Sequence, residues 1–431
     1  MSFAFAVCLA AVFGLAAIGT PIGYSLLAAA TLYLAIDGAD LALAAEQLIQ
    51  SIYDGYTLLA VPLFIIAANI MNAGTVSQRL LTFCVAVVGR FRGGMGHVNI
   101  LSSLIFSGMS GSAVADAAGI GKIITEMMIK TGHYSRGYAA AVTAASATIG
   151  PIIPPSIPMV MYALISNQSI GYLFLAGILP GLLMGLVLMT MNWTISWRRK
   201  TPVEPPTPLR DAPGITIRAF PALMMPVILL SGIYGGATTP TEAAAIAALY
   251  ALLLAVGLYR SIGLREFYRV VVESARQSAT VGIVIGCALI FNYIVATERI
   301  PEALSHQMDA LEISPVMFLM AMNLLILGLG CLLDATTIIL VVLPLFVPTA
   351  QVLGIDLVHF GVVMVVNSML GLITPPYGML LFVINAVTGI PLRDIIVNVL
   401  PFLGALLTAL LLLTIFPDIS LIVPRYFGYM G

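Results

Sequence analysis

Gly150-Pro151-Ile152-Ile153-Pro154-Pro155 and Gly371-Leu372-Ile373-Thr374-Pro375-Pro376 share the pattern G-x-x-x-P-P, each inside an otherwise apolar segment. A further proline, expected at a helix start, follows each pair's last proline by 25 residues (Pro180 and Pro401). A proline inside a helix removes a backbone donor and clashes with the preceding turn, at about 3 kcal/mol or more. In lipid the freed carbonyls cannot turn to water, so such a break survives only against protein or a wet cavity. Broken apolar segments at corresponding places in two halves point to a binding site at the membrane midplane.

The rest of the chain explains why lipid is the relevant solvent. Of 431 residues, 60% are hydrophobic and 9% charged, with a mean hydropathy of +1.07. Soluble proteins carry about 25% charged residues. Apolar runs of spanning length recur throughout, which predicts an all-α polytopic membrane protein. The apolar start has no basic n-region and is followed by further spans, so it reads as a first transmembrane helix, not a cleaved signal. A net charge of −1 identifies no partner, and no nucleic acid is expected. Cys8, Cys84, Cys287 and Cys331 stand alone in apolar runs and read as small core residues.

Candidate spans cover about 3–19, 21–37, 55–73, 171–197, 218–234, 238–258, 279–297 and 394–416. The two G-x-x-x-P-P segments lie in longer regions at about 137–165 and 358–388. Two more apolar regions, about 97–130 and 314–352, are interrupted midway by small polar residues, Gly108 to Ala113 and Leu333 to Thr337. Both read as re-entrant helical hairpins. The alternative is two ordinary spans with small residues packed at a helix crossing.

The halves correspond beyond the breaks. Thr20-Pro21 and Thr239-Pro240 open similar helices, 134 and 136 residues before Pro155 and Pro376. Ser112 precedes Pro154 by 42 residues, and Asp334 precedes Pro375 by 41. The spacing predicts a tandem duplication, 1–200 and 218–431, joined by a polar, extended linker at 201–217 with prolines at 202, 205, 206, 208 and 213. Placing the basic end Arg198-Arg199-Lys200 in the cytoplasm and walking through the spans puts 16 of 18 Lys and Arg residues on that side. Only Arg299 and Arg425 fall outside. The N-terminus then lies in the periplasm, hairpin 1 opens to the cytoplasm and hairpin 2 to the periplasm. The repeats are expected to be inverted.

Tips and breaks expose helix ends, where orphan N–H groups face anions and orphan carbonyls face cations. One cluster holds Ser110, Gly111, Ser112, Gly150 and Pro154, with Ser156 beside it. Its counterpart holds Asp334, Thr336, Thr337, Gly371, Thr374 and Pro375. Hydroxyls and unwound carbonyls suit a hard, weakly charged ion such as Na⁺, whereas neither a Cys/His set nor a carboxylate cluster is present for other metals. Asn367 adds an amide four residues before Gly371, and Ser146 holds the matching place before Gly150. Asp334 is the most telling side chain, because a carboxylate at the midplane costs about 2.5–3.5 kcal/mol. It reads as an ion-site residue, a hairpin-tip cap, or both. Asp116 is a candidate helix-capping acid, and Glu242 a first-turn acid. Glu298 and Arg299 could pair with each other, or Arg299 could attract an anion. The four histidines (His97, His133, His306, His359) form no constellation. No catalytic motif is present, so no enzyme activity is expected.

From residue 106 to 185, the stretches GMSGSAVADAAGIG, YAAAVTAASATIGPIIPPSIPMVMYA and FLAGILPGLLMG closely resemble the large membrane subunit of TRAP transporters, the DctM family. LLDATTIILVVLPLFVPTA and GLITPPYGMLLFVINAVTG resemble it equally well, and the similarity covers essentially the whole chain. The resemblance implies a bacterial inner-membrane secondary transporter that works as an elevator and imports organic acids with Na⁺. It implies two partners, a small four-helix membrane subunit and a periplasmic substrate-binding protein. With no small-subunit sequence before Met1, that subunit is expected to be a separate chain. Na⁺ sites are implied at Ser110, Ser112, Gly150 and Pro155, and at Asp334, Thr337, Gly371 and Thr374. Ser156, Ser146, Asn367 and Arg299 remain candidate substrate contacts. The readings left beside this one are a stand-alone symporter of the same superfamily, a channel and an intramembrane hydrolase.

Overall fold

In the computed structural model the described residues are 2–54, 56–73, 76–203, 208, 210–303 and 313–431. Pro205 and Pro206 of the linker, and His306, lie outside them. The first half begins with α1 (Phe3–Ala17), α2 (Ile22–Asp37), α3 (Ala42–Asp54), α4 (Ala60–Asn72) and α5 (Val76–Val88). Helices α3 and α5 are additions to the expected spans; both are amphipathic and short, which hid them from a search for apolar runs.

Hairpin 1 follows. Helix α6 (Gly94–Ser110) runs to a tip at 111–112, and α7 (Ala113–Asp116), a π turn (Ala117–Gly121) and α8 (Lys122–Lys130) return beside it. Broken helix 1 is α9 (Arg136–Ala147) and α10 (Ile157–Ser166), interrupted at 148–156 by the first G-x-x-x-P-P. Helix α11 (Ile170–Arg198) closes the half.

The second half contains α12 (Ala212–Tyr234), α13 (Pro240–Leu252), a π turn (Leu253–Leu258) and α14 (Leu264–Thr297). Hairpin 2 is α15 (Pro315–Gly330), a tip at 331–334, α16 (Ala335–Thr337), a π turn (Ile338–Val342) and α17 (Leu343–Val352). Broken helix 2 is α18 (Leu357–Gly371) and α19 (Met379–Thr388), interrupted at 372–378. Helices α20 (Leu392–Ile415) and α21 (Asp418–Tyr426) end the chain. The parallel reaches fine detail: each hairpin has its π turn just beyond the tip, and each break has a cis bond between its two prolines. Among the described residues, six helices are long and apolar enough to cross a membrane.

Two expectations about prolines change. Pro180 and Pro401 lie inside α11 and α20, not at helix starts. Pro213 belongs to the first turn of α12, not to the linker, because a missing N–H costs nothing there.

Helices α1 to α5 and α12 to α14 pack mainly on one another; α4 lies against α13 and α14, and α2 against α1 and α14. The hairpins, broken helices, α11 and α20 form the second group, and here the halves interlock. The far half of broken helix 1, α10, packs on hairpin 2 and α18, while its counterpart α19 packs on hairpin 1 and α9. Tyr162 of α10 is completely buried; its hydroxyl donates to the Leu357 carbonyl at 2.7 Å and its ring lies on Gly361. A side chain at Gly361 would collide with that ring, so the crossing requires glycine there.

Candidate functional site

Each tip is built by a capped helix start laid against the backbone of a break. At tip 1, Gly111 ends α6 with φ +60, a left-handed value that favours glycine. A Cβ on Gly111 would strike the Pro155 carbonyl oxygen, so the tip and break backbones touch there. Ser112 is extended and its hydroxyl accepts from the Ala115 N–H at 3.3 Å, capping α7. At tip 2 the cap is Asp334: it accepts from the Thr337 N–H at 3.2 Å and from the Thr337 hydroxyl at 2.5 Å. Gly330, at the end of α15, lies against Gly371; a Cβ on Gly371 would sit 2.5 Å from the Gly330 Cα.

Asp116 differs from its sequence reading. It does not cap α7, since Ser112 does, and it sits a turn inside and buried. Its Oδ1 accepts from the Ser110 hydroxyl at 2.5 Å, while Oδ2 is buried with no hydrogen-bond partner. That free oxygen faces Gly150: a Cβ there would lie 2.7 Å from it. An uncompensated carboxylate oxygen in a membrane interior is expensive, so a cation beside it fits the site. The signal for Asp116 was an acid in an apolar stretch six residues after Ser110; its burial depends on the hairpin turning back.

The break supplies matching acceptors. Prolines have no N–H, and among the described residues no donor reaches the carbonyls of Pro154 and Pro155. Carbonyls, hydroxyls and one carboxylate oxygen are the kind of oxygen donors that a hard cation takes. At the other break, the Thr374 hydroxyl donates to the Leu370 carbonyl at 2.7 Å and the Pro375 carbonyl lies 3.8 Å from the Cys331 sulfur. Thr336 is half-buried beside Asp334.

The corresponding residues Ser146 and Asn367 turn out to join hairpins to breaks. The Ser146 hydroxyl donates to Asn99 Oδ1 and bonds the Ser103 hydroxyl, each at 3.0 Å, both on α6. The Asn367 amide donates to the Asn323 carbonyl at 2.8 Å and to its Oδ1 at 3.0 Å, on α15. Asn367 Oδ1 stays buried without a partner. The Ser156 hydroxyl is consumed as the cap of α10, accepting from the Met159 N–H and donating to the Pro151 carbonyl.

A cavity of about 380 Å³ opens on tip 1, lined by Ser110 and Ser112, by Ile157 of α10, by Asn69 of α4 and by Gln277 of α14. Asn69 donates to Ser274 Oγ and Gln277 Oε1, each at 3.0 Å, so two linked amides stand in an otherwise apolar wall of Ile65, Ala68 and Val281 facing the tip. Neither Asn69 nor Gln277 stood out in sequence, because isolated amides in apolar helices carry no pattern. Arg299 lies elsewhere, at the end of α14, and makes no ion pair with Glu298. Glu298 instead accepts from the Ser2 N–H and the Tyr33 hydroxyl, each at 3.0 Å, and from the Ser2 hydroxyl. Glu242 occupies the first turn of α13 as expected, in a capping box with Thr239.

Two interlocked hairpin and broken-helix units with polar tips inside an apolar chain define a polytopic helical membrane protein with a duplicated, polar-tipped interior. Its fold is similar to that of the Alcanivorax borkumensis YdaH transporter, with a TM-score of 0.64 at 15% identity over 86% of this chain and 87% of that one. The chain belongs to the family of the tripartite ATP-independent periplasmic transporter, DctM component, whose model matches residues 9–419. It is 40% identical to the sialic acid TRAP transporter large permease protein SiaM of Vibrio cholerae, over 96% of this chain and 97% of that one. It is also 39% identical to the C4-dicarboxylate large permease protein DctM of Pseudomonas aeruginosa, over 86% and 87%. Members of the family are transporter permeases, not enzymes, and this chain is a multi-pass inner-membrane protein.

Proposed function

We propose that this permease imports a small organic anion, a carboxylate, sugar acid or sulfonate, together with Na⁺ by an elevator motion. The orphaned Asp116 Oδ2 beside Gly150, at the junction of tip and break, carries this reading. The first-half ion is held by Asp116, the Pro154 and Pro155 carbonyls and the hydroxyls of Ser110 and Ser112. The second-half ion is held at Asp334, Thr337, Gly371 and Thr374. Each ion joins a hairpin tip to a break, so Na⁺ orders the surface that the anion meets. Substrate and ion therefore raise each other's affinity by the same factor. The hairpins and broken helices move as one body against α1 to α5 and α12 to α14, with the cavity at Asn69 and Gln277 on the sliding face. A small four-helix membrane subunit and a periplasmic substrate-binding protein complete the importer, and the repeats lie inverted across the bilayer.

The test is uptake into proteoliposomes holding this chain, the small subunit and the binding protein. An inward Na⁺ gradient should drive accumulation that K⁺ cannot replace. Equal uptake in Na⁺ and K⁺ would overturn the coupling, and uptake by the chain without a binding protein would favour the stand-alone symporter.

A further inference from the structure

We propose a second site, for a phosphate-bearing anion, between α5 and α12, and assign its occupant as the headgroup of an anionic phospholipid. A cavity of about 440 Å³ is lined there by Gln78, Arg79 and Thr82 of α5 and by Ile215 and Arg218 of α12. Two arginines therefore line one space. Neither arginine has an acidic partner among the described residues; the Arg425–Asp418 ion pair, at 2.7 Å, lies elsewhere. Arg79 is not simply extended into water. Its guanidinium is stacked over the Tyr259 ring, 4.4 Å from the centroid, and its Nε is buried with no hydrogen-bond partner. The Tyr259 hydroxyl in turn donates to the Arg218 carbonyl at 3.0 Å. One tyrosine thus fixes both the Arg79 fork and the backbone that carries Arg218.

Paired guanidinium forks match phosphate oxygens, and basic pockets between membrane helices take phospholipid headgroups. A lipid is favoured over free phosphate because α12 leaves the cavity as an outward-facing apolar helix. Ile217 is 72% exposed, and Phe220 and Val227 are half exposed, giving acyl chains a surface to follow. The site lies on a different wall from the tip cavity, and nothing in it depends on the transport reading.

The experiment uses the purified protein in nanodiscs of phosphatidylcholine alone or with phosphatidylglycerol, and in detergent with inorganic phosphate. The thermal shift on adding phosphatidylglycerol should fall by about half or more in Arg79→Gln and Arg218→Gln. Arg79→Lys with Arg218→Lys should retain part of it, and Arg265→Gln, outside the cavity, all of it. Arg218 is exposed, so its variant should fold even if Arg79→Gln does not. Equal shifts in wild type and both Gln variants would overturn the site. A response to inorganic phosphate with no preference for phosphatidylglycerol would overturn the lipid assignment. So would lipid dependence that disappears once the small subunit is bound, since a protein would then cover this face.

Discussion

The Ser110 hydroxyl donates to Asp116 Oδ1 at 2.5 Å across the tip of hairpin 1, leaving Asp116 Oδ2 buried, unpartnered and facing Gly150. At tip 2 the acid sits on the cap instead: Asp334 accepts from the Thr337 hydroxyl. Both halves thus bond one hydroxyl to one carboxylate at the tip, with the acid placed differently. Tip 1 keeps a carboxylate oxygen free toward the break.

Asp116→Asn preserves shape and the Ser110 contact while removing the charge. The apparent Na⁺ affinity should fall at least about tenfold, or about 1.4 kcal/mol. The effect should appear both in Na⁺-driven uptake and in Na⁺-dependent thermal stabilisation of the purified protein. An unchanged Na⁺ titration would remove Asp116 from the ion site.

Asp334 both caps a helix and, in the proposed reading, faces an ion. Asp334→Ser keeps a capping oxygen, so stability should change little, whereas Asp334→Ala should lose about 1 kcal/mol. Both should abolish Na⁺-dependent uptake, as should Ser112→Ala, with the proteins still folded. Normal uptake by Asp334→Ser would mean that the residue only caps.

Gly371 and Gly330 let hairpin 2 touch broken helix 2 backbone to backbone. In Gly371→Ala the new methyl meets a main-chain atom that cannot swing away. Unfolding should become easier by about 1–3 kcal/mol, read as a lower melting midpoint. A melting point equal to wild type would show that the helices can separate freely.

Ser2 and Tyr33 tie the chain's start to Glu298, and the Ser2 hydroxyl leads in holding that carboxyl below its ordinary value of 4.5. A depressed folded value means the contribution is complete above pH 4.5 and is lost as pH falls through the folded value. Glu298→Gln should therefore melt lower than wild type at pH 7, with the gap closing as the pH is taken below 4.5 and through the depressed folded value. A gap that stays constant as acid is added would place the stabilisation elsewhere.

The architecture was legible because proline chemistry and hydropathy act locally. A break that costs a helix its donors must show in sequence, and two breaks with matching upstream spacings announce two halves. Short amphipathic helices such as α3 and α5 were hidden because they are neither apolar nor broken. Pro180 and Pro401 also misled: a proline favours a helix start, but packing tolerates it inside α11 and α20.

The sequence by itself determined the membrane class, the duplicated hairpin and broken-helix order, and which residues stand at the tips and breaks. Hydrophobicity and backbone hydrogen bonding are properties of short segments, so composition reveals them. Only the tertiary structure decided which oxygens remain free. Ser146 and Ser156 proved committed to holding and capping, while Asp116 proved buried with one oxygen open. Whether a polar atom is satisfied depends on residues from other elements, brought to it by the fold, and no local pattern encodes that.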